Sequence, residues 1–358
     1  MALASRQVDA LADLDAPLLL FLDRIAEIRI DVERPDQRPY RRRLSRRQTV
    51  VGDVPSLPRT TMYEVDVGEG RRFLVVRREV DKQRVLEAVE RSIPTAPQLK
   101  RWLNWKGAPV VSVAVGMSTA AVAKGRLYNF LPMGEEAASP ILGYIDAPFF
   151  ADIDRRDADL DLPLNETMME AAAETCAAAA LSIVERETAI PAQAVFDLFA
   201  WTGEQAGKLN TALKEAGSSL REASVIPAIA ENGQRAWSCL SEIRIWPEGT
   251  FSILKDREVA KYVGAQLVSK DLDSKRIERL KAIASRSFYR PLTPSGAQLA
   301  EWSEAFARSL LERKVAPRTW SRFYDDLPRV FDAVDASLEA LSASNDASTA
   351  SNTRGRSS

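Results

Sequence analysis

Residues 125–165 read GRLYNFLPMGEEAASPILGYIDAPFFADIDRRDADLDLPLN. Leu127 to Leu131 and Ile141 to Ile145 are two short apolar runs separated by a loop, and they read as strands. The charge-dense turn that follows leads into Asp161-Leu162-Pro163-Leu164-Asn165, a helix start in which Asn165 is expected to cap and Glu166 and Glu170 favour the positive end. The next run, ETMMEAAAETCAAAALSIVERE, carries small residues on most faces and suits a helix packed closely on a sheet. Strand, loop, strand and helix in this order place the chain in the α/β (α+β) class.

Upstream, Val110–Val115 (VVSVAV) reads as a short buried strand and Lys82–Ser92 as a short helix. Thr61–Val80 reads as a hairpin turned at Gly68-Glu69-Gly70. The segment from Leu18 to Ile30 changes period: a solid apolar run gives way to the alternation of Ile28–Val32, which is strand-like. Downstream, Ile190–Ala212 reads as helix. A turn at Gly233, a strand at Ile243–Trp246 and a helix at Asp256–Val263 follow. Leu299–Leu311 and Trp320–Leu338 are amphipathic helices, with Trp302, Phe306 and Leu310 at core spacing. The expected organisation is a lead-in at 1–16, a mixed-sheet α/β domain at 17–187, a second small α/β unit at 188–275, a helical region at 276–340 and a disordered tail at 341–358.

Composition narrows the chemistry. The 358 residues contain no histidine. Histidine acid–base catalysis, Ser-His and Cys-His pairs and histidine metal sites are therefore excluded within the chain. The two cysteines, Cys176 and Cys239, match no metal spacing, and Cys176 in its alanine run reads as a small buried thiol. Low cysteine use and the lack of a leader pattern fit a cytoplasmic protein. PLLLFL at Pro17–Leu22 is too short to span a bilayer, so no membrane partner is expected. The net charge is −1, which gives no global attraction to nucleic acid. With 46% hydrophobic residues, the length supports two or three domains with real cores.

The pattern GR-x-Y-x-FLP at 125–132, APFF at 147–150 and D-RR at 154–156 resembles the region that follows the ATP-binding domain in sacsin-like ATPases of the GHKL class, which includes the heat-shock chaperone ATPases. LLFL with Ile25, Ile28 and Ile30, and VIPAIAENGQRAWSCLSEIRIWP from Val225, resemble the same family, so the likeness covers about residues 15–290. The resemblance implies a transducer-like middle region followed by C-terminal units. ATP and Mg would be bound only by an N-terminal domain missing from this chain, and the chain would hold no cofactor of its own. Expected partners are that GHKL domain, fused or separate, and protein clients, with homodimerisation as a further option.

Several residues are candidates for function. Asp66, Gly68 and Gly70 match the D-x-G-x-G pattern with which GHKL ATPases bind adenine, yet a glycine turn between strands accounts for them as well. Asp161–Asn165 matches a run that precedes a phosphate-sensing arginine in the chaperones, but Met168 occupies that position here. Lys124, Arg126, Arg155 and Arg156 are the remaining cations that could sense a γ-phosphate in a neighbouring domain, against the reading of a solvated charged turn. Arg38, Arg41, Arg42, Arg43, Arg46 and Arg47 could instead bind an acidic or nucleic-acid partner, which is the alternative function: an independent interaction protein. Asp325-Asp326 reads as a helix-end pair rather than an acid/base pair.

Overall fold

A computed structural model describes the chain outside residues 1–16, 34–38, 120, 121, 123, 152–154, 231, 233, 247–266, 288–291, 330 and 333–358. The expected lead-in, tail, Gly233 turn and Asp256–Val263 helix lie outside the described residues. The chain divides into two compact units. The first holds the described residues up to Val225 together with Asp271–Ile283, and the second holds the rest. Residues 188–225 thus pack with the first unit.

The first unit is built on a seven-stranded mixed sheet of β3 (Arg47–Asp53), β4 (Thr60–Asp66), β5 (Arg72–Glu79), β6 (Val110–Gly116), β7 (Arg126–Asn129), β8 (Leu131–Pro132) and β9 (Gly143–Asp146). Its order is β3-β4-β5-β6-β9-β7-β8. All pairs are antiparallel except β7 with β9. A separate two-stranded ribbon pairs β1 (Glu27–Val32) with β2 (Tyr40–Ser45).

Both faces of the central strands are covered, which is why FLVV and VVSVAV read as continuous apolar runs. One face turns Leu74, Val76, Val113, Val115, Leu127 and Ile145, all buried, toward the helices. There α2 (Pro163–Glu185) packs on β5 and β6 and against α1 (Lys82–Ser92), α3 (Ala192–Phe199) and α4 (Ala206–Glu215). Alanine on nearly every face lets backbone approach backbone, so α2 is buried except along the stripe of Glu166, Glu170, Glu174 and Glu185. It is the one described helix long and apolar enough to cross a bilayer, and it is buried inside the fold. Three of its glutamates are paired: Glu170 and Glu174 with Arg84 at 3.0 and 2.7 Å, Glu174 also with Arg78, and Glu166 with Lys208 at 3.1 Å. Cys176 is fully enclosed in this layer, and burial pushes its thiol up to about 12.

The opposite face carries Val65, Phe73, Val75, Ala114, Tyr128 and Tyr144, capped by Leu20 and Phe21 of the PLLLFL turn. Phe21, Tyr128 and Tyr144 meet edge to face at 5.0 and 5.4 Å. The apolar run too short for a membrane is thus a plug on the sheet.

Local expectations failed at three places. Asn165 lies inside α2, not at its cap; the helix starts at Pro163 after Leu162, and the Asn165 side chain is committed to loop backbone. The helix expected over 190–212 breaks at 200–205, where Gly203 takes φ +78°. Ile243–Trp246 forms no strand, only a single bridge from Arg244 to Leu267. The second unit's sheet is instead β11-β10-β12: β10 (Ile226–Ile229), β11 (Arg235–Ser238) and β12 (Leu267–Val268). Pro227 and Ala228, weak strand formers, concealed β10. Helix α5 (Ser274–Ser287) is followed by α6 (Gly296–Glu312), started by a Ser295/Gln298 capping box. Leu299, Phe306 and Leu310 pack with Phe323 of the helix at 317–329, and Trp302 lies against them.

Candidate functional site

On the capped face of the sheet, the apolar core stops at one row. Strand register sets Arg77 of β5 opposite Ser112 of β6, and Ser112 opposite Asp146 of β9. The same-face residues two positions along are Val75, Ala114 and Tyr144, all core. Three adjacent central strands therefore change from apolar to polar together. A cavity of about 150 Å³ opens over this row. Asp23, at the end of the PLLLFL plug, closes one side: it pairs with Arg77 and accepts from Arg46 Nη2 at 2.8 Å. Arg46, almost fully enclosed, also donates to Gln48 Oε1 at 2.6 Å and to the Leu20 carbonyl at 3.3 Å. Burial pulls its guanidinium below the ordinary arginine range.

Tyr63, Trp105 and Phe130 contribute aromatic side chains to the lining. Phe130 is 63% exposed at φ +64°, a left-handed conformation that costs a non-glycine residue about 1–3 kcal/mol. That conformation aims its N–H at Asp146 Oδ1, 2.7 Å away. Trp105 is held edge to face on Trp102 at 5.2 Å.

Asp146 is the unusual group. Burial pushes its carboxyl up to about 6, against the pull of the Phe130 N–H and the charges of Arg77 and Arg155. Its second oxygen, Oδ2, and the Ser112 hydroxyl make no hydrogen bond among the described residues. A carboxyl that titrates near neutrality beside a cavity can take up or give a proton to a bound molecule. The described residues contain no cluster of three metal-ligating side chains.

The residues singled out from sequence fall elsewhere. Asp66–Gly70 forms the turn between β4 and β5: Asp66 Oδ1 accepts the Gly68 N–H at 2.8 Å, and Gly68, Glu69 and Gly70 have φ of +82°, +55° and +72°. The Asp66 carboxylate is thus used inside its own turn. Lys124 Nζ lies 3.3 Å and Arg126 Nη2 4.0 Å from Glu135. Arg155 donates to the Asn129 carbonyl, and the Gly134 N–H bonds the Arg155 carbonyl at 2.8 Å. These contacts draw 124–135 and 155–156 together around β7. Arg156 is exposed. Met168 is fully buried in α2.

The arginine cluster is laid out on β2 and the start of β3 with carboxylates facing it. Arg41 pairs with Asp31 at 3.5 Å, Arg42 with Glu69 at 3.6 Å, Arg43 with Glu27 and Arg46 with Asp23. Arg47 stands opposite Asp66 in the register, and Arg38 lies outside the described residues. Arg41 and Arg43 remain largely exposed in these pairs, which are worth little at a surface. Asp325 is exposed on the helix at 317–329, and Asp326 is buried there, 3.7 Å from Arg329.

Sequence reasoning passed over the Arg77–Ser112–Asp146 row. The signal was a single polar residue inside each of two apolar runs, Ser112 in VVSVAV and Asp146 in YIDAPFF, with Arg77 directly after a third, FLVV. Comparison with protein-family models, with curated proteins and with solved structures gave no match to this chain.

Proposed function

We propose that this chain is the non-catalytic middle and C-terminal portion of a sacsin-like GHKL ATP-binding protein, which passes the ATP state of an N-terminal domain, fused or separate, to clients or effectors in the cytoplasm. The resemblance at 125–156 and from Val225 supports the family reading. The observation that supports a mechanical role is the brace between β9 and α2. Asn165, wholly buried in the first turn of α2, accepts the Phe150 N–H at 2.7 Å and donates back to the Phe150 and Asp159 carbonyls, both at 2.7 Å. Asn129 holds the neighbouring Phe149 carbonyl at 2.8 Å, and Arg155 holds Asn129.

The APFF loop is thereby tied at one end to the sheet and at the other to the helix at the centre of the fold. A push on the 155–156 turn is carried into α2 through directional bonds rather than absorbed by a slack loop. Arg155 and Arg156 on that turn, with Lys124 and Arg126, are the candidate cations for meeting an ATP-bearing domain.

Titration calorimetry with Mg-ATP tests the reading. The chain alone is expected to give no binding heat, and a purified sacsin-like ATP-binding domain is expected to associate with it only when ATP is present. Micromolar ATP binding by the chain alone would overturn the proposal.

A further inference from the structure

The cavity over the polar row is not used by the brace, and it has the make-up of a ligand site. We propose that it binds a small planar nitrogen base, a single amino-substituted heteroaromatic ring or an aryl amidine, whose N–H edge meets Asp146 and whose face rests on the aromatic lining.

Size sets the first limit. A cavity of about 150 Å³ is the volume that accommodates one six-membered ring. Hydrogen bonding sets the second. Among the cavity's polar side chains, Asp146 leaves Oδ2, an acceptor, and Ser112 leaves Oγ, a donor and acceptor, without a hydrogen bond among the described residues. They stand on neighbouring strands in register, so their Cβ atoms are about 5 Å apart. An edge with two or more N–H groups, or with an N–H beside a ring nitrogen, satisfies both oxygens at once.

Charge sets the third, locally at Asp146: Arg46 and Arg77 both hydrogen-bond Asp23, and the two arginines and two aspartates balance over the cavity as a whole. The Asp146 carboxylate has no cation hydrogen-bonded to it, and it would repel an acid. A base sets its N–H groups directly on the open carboxylate oxygen, and the aromatic side chains of Trp105, Tyr63 and Phe130 in the lining favour a flat cation. A neutral hydrocarbon ring would leave Asp146 buried and unmatched, which is costly.

The experiment uses the full chain with 2-aminopyridine and benzamidine as probes and benzoate as the acidic control, followed by titration calorimetry and ligand-observed NMR. Both bases are expected to bind and benzoate is not. Asp146→Asn should weaken binding by about tenfold or more, the scale of a lost charged hydrogen bond. Ser112→Ala and Trp105→Ala should each weaken it by a smaller factor while the thermal transition is kept, so the test stands even if one variant fails to fold. Failure of both bases to bind at millimolar concentration would overturn the proposal. So would equal binding by the Asp146→Asn protein, or benzoate binding as well as the bases.

Discussion

Asp146→Asn isolates what burial does to a single carboxyl. Asparagine keeps an oxygen for the Phe130 N–H and removes only the charge. The ordinary aspartate value of 3.8 is raised to about 6 in the folded protein. That difference corresponds to about 3 kcal/mol between the two protonation states. Because the folded value lies above the unfolded one, the folded chain holds the proton more tightly. The resulting stabilisation is full below pH 3.8 and is lost as pH rises to about 6. Above that, the wild type carries a buried carboxylate and the variant does not. Every other carboxylate titrates alike in both proteins and cancels in the difference. Urea denaturation of the two proteins should therefore show the wild type losing about 2 kcal/mol relative to Asp146→Asn between about pH 4.5 and about pH 7. A difference that stays flat over this range would refute the reasoning. One that grows in favour of the wild type as pH rises would mean that Arg77 and Arg155 outweigh burial and hold the carboxyl below its ordinary range.

Three further substitutions probe the frame. Asn165→Ala removes three hydrogen bonds and leaves Phe150 and Asp159 groups unmatched, so it should cost about 2–4 kcal/mol in urea denaturation while leaving helical content unchanged by circular dichroism. Arg276 is wholly buried and grips Asp197 with two bonds at 2.9 and 2.7 Å, so Arg276→Met should cost about 3–5 kcal/mol by stranding a buried carboxylate. Adding Asp197→Asn should recover a large part of that loss, and a double variant no more stable than the single would show that the pair is not the source. At Gly134 a β-carbon would fall 2.5 Å from the Arg156 carbonyl oxygen and 2.6 Å from its Cα, so Gly134→Ala should lower stability by about 1–3 kcal/mol and loosen the 155–156 turn to limited proteolysis.

What could be read from sequence was what periodicity encodes. The β4–β5 hairpin, α1 over Lys82–Ser92, the buried β6 and the all-alanine face of α2 each follow from local apolar spacing and a nearby turn, and each forms at those residues. Asn165 misled because a capping residue and a loop-bracing residue look alike until the loop's path is known. Strand β10 was hidden because its proline and alanine are tolerated only through pairing with β11 and β12. The polar row needed still more. Ser112 and Asp146 are 34 positions apart in sequence by their numbers, and Arg77 reaches Ser112 only through α1 and the segment after it. No short turn fixes either register. A lone serine in VVSVAV reads as tolerated polarity until the sheet sets it beside an aspartate and an arginine.

Cavity and brace meet at Ala147 and Pro148, which line the cavity one and two residues after Asp146 and lead directly into Phe149 and Phe150. Phe130 belongs to both: its N–H bonds Asp146, and its neighbour Asn129 holds the Phe149 carbonyl while its own carbonyl takes Arg155. The strained backbone at Phe130 is therefore fixed from two sides, by a buried carboxylate and by a cation on the exposed turn. A ring bonded to Asp146 would bear on the strand end from which the brace begins, and a displacement of Arg155 would reach the same carboxylate through Asn129 and Phe130. Any free energy that couples the two must act in both directions. A base that binds Asp146 should thus alter the proteolytic protection of the 155–156 turn, and Gly134→Ala, which disturbs that turn at a residue outside the cavity lining, should alter the base's affinity.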